Sequence, residues 1–119
     1  MGMPAKLSTQ VLDTAHGCPA QGMKIELWSI TRDDRLLLTT ARTNAEGRTE
    51  QPLLSADEMK PGLYEIVFHV GDYFTARGTV LPKTRFLDQV PVRIGIADAG
   101  AGYHVPVLCS PWAYSILRG

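Results

Sequence analysis

The sequence predicts an all-β sandwich, and three observations carry that expectation. Apolar and polar residues alternate with a period of two in several short stretches. Turn-forming clusters rich in Gly, Pro, Asn and Asp punctuate the chain at intervals of about ten residues. Helical signals are confined to one short helix and one further turn.

The strands are expected at Ser8 to Asp13, Met23 to Ile30, Leu36 to Arg42, Gly62 to Val70, Val90 to Ile96, Tyr103 to Cys109 and Ala113 to Leu117. Gly17-Cys18-Pro19-Ala20-Gln21-Gly22 and Asn44-Ala45-Glu46-Gly47-Arg48 read as turns, because Gly takes positive φ and Pro fixes its own. The helix is expected over Tyr73 to Arg77, with Asp72 as its N-cap and Gly78 just past its end. Ser55 to Met59 suggests one further helical turn. With 119 residues, no repeats and no linker, one domain is expected over residues 1–119.

Charge is balanced, 12 basic against 12 acidic residues, so no basic footprint marks a nucleic-acid or anionic-membrane partner. No apolar run is long enough for a membrane span. The opening, Met1 to Lys6, has no basic stretch followed by an apolar one, so no secretory signal is expected there. Cys18 and Cys109 lack metal-ligand spacing and are expected as two reduced thiols. A cytoplasmic location follows as the expectation.

Strand parity selects candidate surface residues. Ser8, Gln10 and Leu12 share one face of the first strand, and Thr9, Val11 and Asp13 the other. His104, Pro106 and Leu108 share a face opposite Val105, Val107 and Cys109. If the valines pack inside, His104 points outward. Ser115 and Leu117 share a face in the tail.

Three stretches carry a family resemblance: Leu7-Ser8-Thr9-Gln10-Val11-Leu12-Asp13-Thr14 running into Gly17-Cys18-Pro19-Ala20, the Gly47-Arg48 turn, and Tyr103-His104-Val105-Pro106 through Ser110-Pro111-Trp112 to Arg118-Gly119. Together they span nearly the whole chain, which resembles the 5-hydroxyisourate hydrolases of the transthyretin-like family. The resemblance implies an eight-stranded β-sandwich with one short helix. It also implies a homotetramer, a dimer of dimers, with active sites in a central channel and no metal or organic cofactor. The implied reaction is hydrolysis of 5-hydroxyisourate at a ring amide carbonyl during urate breakdown.

By the same resemblance the family's first-strand histidine falls at Gln10, its substrate-binding arginine at Arg48 and its second histidine at His104. The C-terminal Tyr-Arg-Gly-Ser signature falls on Leu117-Arg118-Gly119, its last serine missing. The implied catalytic group is therefore His104, Arg48 and Gln10, with Arg118, Ser115 and Leu117 as substrate-binding residues. His104 would accept a proton from water, and the arginines would hold the anionic substrate by forked hydrogen bonds. Gln10 cannot exchange a proton near neutral pH, and general acid–base help is typically worth about 10²–10⁴-fold, so a slower hydrolase is expected. Two alternatives fit the same departures. One is a non-catalytic channel in which Leu12, Leu108 and Leu117 line a pocket for a hydrophobic aromatic ligand. The other is a hydrolase inactivated by design or by drift. His16, His69, Trp28 and Trp112 are read as structural or surface residues.

Overall fold

The computed structural model describes residues 4–119; Met1, Gly2 and Met3, which open the segment read above as lacking a signal, lie outside the described residues. Two four-stranded sheets face each other. The strands are β1 (Lys6–Asp13), β2 (Cys18–Pro19), β3 (Lys24–Ile30), β4 (Arg35–Arg42), β5 (Gly62–His69), β6 (Gln89–Ile96), β7 (Gly102–Cys109) and β8 (Tyr114–Ile116). One sheet runs β2-β1-β7-β8 and the other β4-β3-β5-β6. This is the transthyretin-like eight-stranded sandwich that the resemblance implies.

Period-two burial builds the core. Leu7, Val11, Val105 and Val107 from the first sheet meet Ile25, Leu27, Ile66 and Phe68 from the second, all essentially inaccessible. Fully burying such a side chain is worth about 1.5–3 kcal/mol each. These inward residues fix which face of each strand is left outside.

The seven expected strands are present, and β2 is the eighth. It is two residues long, with Cys18 opposite Asp13 and Pro19 opposite Leu12, too short for any alternation to reveal. The helix α1 (Val70–Ala76) begins earlier than its sequence suggests. Asp72 lies inside its first turn rather than capping it, and its carboxylate accepts a hydrogen bond from Arg85 Nη2 at 2.9 Å. The buried side chains of Val70, Tyr73 and Phe74 pull the helix directly onto the end of β5. A 3₁₀ turn at Ala56–Glu58 carries the capping box between Ser55 and Glu58.

Both thiols are free. Asp13 pairs with Cys18 on one side and with Cys109 on the other, so the cysteines stand two strand spacings apart, about 9–10 Å, too far for a disulfide. Burial, with some help from Asp13, pushes the Cys109 thiol up to about 12, which makes it a packing group rather than a nucleophile.

Asp13 is itself inaccessible. Tyr73 Oη donates to it at 2.8 Å, the His16 backbone N–H at 2.9 Å, and His16 Nδ1 lies 2.7 Å away. Burial opposes its charge, but these hydrogen bonds outweigh burial and hold the carboxyl below its ordinary value near 3.8. A depressed carboxyl stabilises the fold above the unfolded-state value and loses that contribution as pH falls through the folded one. Tyr73→Phe is therefore expected to lower stability by about 1.5–3 kcal/mol at neutral pH, measured by urea denaturation. The deficit should shrink once the pH drops below 4; a deficit unchanged by acid would contradict the role given to Asp13.

Candidate active site

The site is built where β1 and β7 lie side by side in parallel. Ser8 stands opposite His104, Gln10 opposite Pro106 and Leu12 opposite Leu108. With Thr9, Val11, Val105 and Val107 buried, the alternate residues face outward, as parity predicts. His104 is half-buried, and its Nδ1 lies 2.8 Å from Ser8 Oγ. Thr9 Oγ1 donates to the Val105 carbonyl at 2.7 Å beneath them, tying the two strands together on the inner side.

Arg48 arrives on the far side of β1. Asn44 Oδ1 accepts the Glu46 and Arg48 N–H groups at 2.9 and 3.1 Å, while the Asn44 N–H donates to the Arg48 carbonyl at 2.7 Å. This side chain-closed turn docks on β1 through Val11 N–H to the Gly47 carbonyl at 2.9 Å and Gln10 Nε2 to the Glu46 carbonyl at 3.1 Å. Gln10 and Arg48 form a bridge. Gly47 has φ +78°, and a Cβ there would collide with the Val11 carbonyl. Only glycine lets the turn come this close.

The result is a pocket of about 140 Å³ whose wall includes Lys6, Ser8, Arg48, Glu50 and His104. Burial lowers the His104 pKa from its ordinary 6.5, and the charges of Arg48 and Lys6 lower it further. The imidazole is thus held neutral, with its proton-accepting capacity intact, at neutral pH. A larger hollow of about 350 Å³, walled partly by Lys24, Arg42 and Arg77, lies elsewhere and does not include His104.

The expected residues fall into two groups. His104 and Arg48 share the pocket, and Gln10 adjoins it with its amide nitrogen turned to the turn backbone. Leu117 and Arg118 instead border an apolar groove of about 200 Å³ with Ile94, Tyr103 and Val105. The Arg118 guanidinium lies 4.2 Å over the Tyr103 ring, an inward-facing residue. Ser115 pairs with Leu108, four residues along β7 from His104, or about 13 Å of strand. The tail does return to the site at Gly119, whose N–H donates to the His104 carbonyl at 2.7 Å. Lys6, Ser8 and Glu50 were not singled out from sequence as site residues. Parity puts Ser8 on the right face, but the neighbour it faces depends on the β1–β7 register. His16 and His69 are tied to Asp13 and to Glu26, at 2.7 and 3.1 Å, and take no part in this pocket. Among the described residues no three His, Cys, Asp or Glu side chains cluster to hold a metal ion.

A profile of the HIUase/Transthyretin family matches residues 7–119. The chain belongs to that family. It is 51% identical over 114 residues to a 5-hydroxyisourate hydrolase of Pseudomonas aeruginosa, covering 96% of this chain and 90% of that one. The solved structure of Klebsiella pneumoniae 5-hydroxyisourate hydrolase superposes with a TM-score of 0.79 at 28% identity, over 96% of this family member and 98% of that chain. A crystal structure of (S)-allantoin synthase superposes with a TM-score of 0.90 at 41% identity, over 97% of this chain but 43% of that longer one.

The docking of the Arg48 turn is testable through its glycine. Gly47→Ala meets both an unfavourable φ and the Val11 carbonyl, whereas Gly17→Ala, at φ +67° with open space around it, meets only the first. Unfolding free energies from urea denaturation should fall by about 1–2 kcal/mol for Gly17→Ala and distinctly more for Gly47→Ala. Equal losses would show that the turn is not held tightly on β1.

Proposed function

We propose that this protein is a 5-hydroxyisourate hydrolase that opens the substrate's cyclic amide with water, in urate degradation. The observation that carries the reading is the convergence of a neutral, half-buried His104 with Arg48 and Lys6 in one pocket. Relatives named for this activity span the chain nearly end to end. Arg48 and Lys6 supply the positive charge that a planar anion requires, and Arg48 can meet it with paired N–H donors.

The chemistry asks little more of the protein. The oxygen of a positioned water bonds to the ring carbonyl carbon while His104 takes one of its protons. The carbon–nitrogen bond then breaks, the proton passes to the departing nitrogen, and the carboxylic acid left behind ionises to a carboxylate by releasing water's second proton to solvent. Gln10, whose Nε2 is spent on the Glu46 carbonyl, orients by hydrogen bonding and does not carry a proton. The hydrolase is accordingly slower than one with a second imidazole at this position.

The pocket is also unfinished in one subunit. Ligand sites usually enclose about 300–1,000 Å³, against 140 Å³ here. We assign the missing wall to another copy in a homotetramer built as a dimer of dimers, and keep Ser115, Leu117 and Arg118, which lie outside this pocket within one subunit, as substrate-binding residues of the assembled channel. In support, β8 is an edge strand whose Tyr114 and Ile116 are exposed beside Leu117 and Trp112, the composition of a covered edge. The reading places the whole chain in one transthyretin-like domain working in the cytoplasm without a cofactor.

The exposed Leu108 beside Leu12 favours a second reading, a channel that binds a hydrophobic aromatic molecule without turnover. An ultraviolet assay of freshly generated 5-hydroxyisourate separates the two. The hydrolase reading predicts decay faster than the spontaneous rate, lost in His104→Ala, raised in Gln10→His, and falling as pH drops through the depressed His104 value. Spontaneous-rate decay with an intact tetramer, together with saturable heat on titrating a hydrophobic phenol, would replace it with the binding reading.

A further inference from the structure

Among the described residues, Ser8 is the side chain hydrogen-bonded to the His104 imidazole, with Oγ and Nδ1 2.8 Å apart. The contact is built into the backbone rather than left to a chance rotamer. Ser8 and His104 are directly opposed in the parallel β1–β7 ladder, both on the outward face. Their neighbours Thr9 and Val105, buried on the inner face, are joined by a hydrogen bond at 2.7 Å. The register therefore cannot slip without dismantling the core side of both strands.

A neutral imidazole carries one N–H, and its partner selects which nitrogen holds it. A serine hydroxyl can serve in either direction. If it donates to Nδ1, the hydrogen sits on Nε2 and the ring has no free lone pair to receive a proton. If it accepts from Nδ1–H, Nε2 is left bare. The two cations in the pocket, Lys6 and Arg48, disfavour a doubly protonated ring, and Glu50 is the carboxylate that shares the pocket wall with them. One tautomer must therefore be chosen.

We propose that Ser8 is a positioning residue for His104: its oxygen accepts the Nδ1–H and leaves Nε2 unprotonated to take a proton from the attacking water. The inference rests on the hydrolase reading and adds to it a residue that makes His104 a base. When water's oxygen bonds to the ring carbonyl, its proton goes to Nε2 and the Nδ1–H stays on Ser8. As the carbon–nitrogen bond breaks, Nε2 returns that proton to the leaving nitrogen, and the starting tautomer is restored.

The test combines kinetics with ¹⁵N NMR of the His104 ring in the full-length protein, above its titration. The wild type should show a protonated Nδ1 and a bare Nε2. Ser8→Ala should lose that preference and lower kcat about tenfold, the effect of one lost hydrogen bond, with KM changed less than about twofold. Ser8→Thr, which keeps the hydroxyl on a strand-compatible side chain, should restore both readings. A protonated Nε2 in the wild type, or a full kcat in Ser8→Ala, overturns the proposal while leaving the hydrolase standing. Failure of the wild type to accelerate decay at all overturns the hydrolase reading and the catalytic role with it, even if the ring tautomer is as stated.

Discussion

The parallel pairing of β1 with β7 is the constraint on which the site depends. These strands come from opposite ends of the chain, 96 residues apart at the Ser8–His104 contact. Parallel neighbours cannot be joined by a tight turn, and here the whole of the other sheet, β3 to β6, lies between the two strands in sequence. Hydrophobic burial supplies the driving force, through Leu7 and Val11 on one strand and Val105 and Val107 on the other. Side chains then lock the alignment. Thr9 donates to the Val105 carbonyl, and Thr14 Oγ1 to the Cys109 carbonyl at 3.0 Å. The outward row is a consequence of the inward one.

Arg48 reaches the same place by a different device. Its turn is closed by the Asn44 side chain and pressed on the other edge of β1 by backbone hydrogen bonds at Val11, with a second attachment further along at Leu7 and Leu54. β1 thus acts as the common rail for both halves of the pocket. Gln10 belongs to this arrangement in a double sense. It replaces the imidazole that the family resemblance places there, and its amide fastens the turn that carries Arg48. An amide at this position can hold the architecture in place while giving up proton transfer.

Much of the fold and part of the site were legible in the sequence for specific reasons. Alternation in Ser8 to Asp13 and Tyr103 to Cys109 reports burial directly, so the outward placement of His104 follows without coordinates. Asn44 and Gly47 announce a turn because few other residues close it so tightly. Ser8 and Lys6 escaped notice because their importance lies in what stands opposite them. Register between strands so distant in sequence is fixed by the assembled core and leaves no local mark. β2 is too short to show a period, and the helix start is set by the packing of Val70 and Phe74, which overrides the capping preference of Asp72. The tail is the opposite case. Its motif is legible, yet the structure stacks Arg118 on Tyr103, away from the pocket, while the Leu117 and Gly119 N–H groups continue the pairing with β7 at Pro106 and His104.

The claim that the β1 rail brings two distant charges onto one imidazole can be read directly from the titration of His104 by NMR, in the native protein and in Arg48→Gln. The account predicts a value below the ordinary 6.5 in the native protein and a rise toward it when the guanidinium is removed. A His104 that titrates at the ordinary value, indifferent to Arg48, would mean that the two side chains do not share a site.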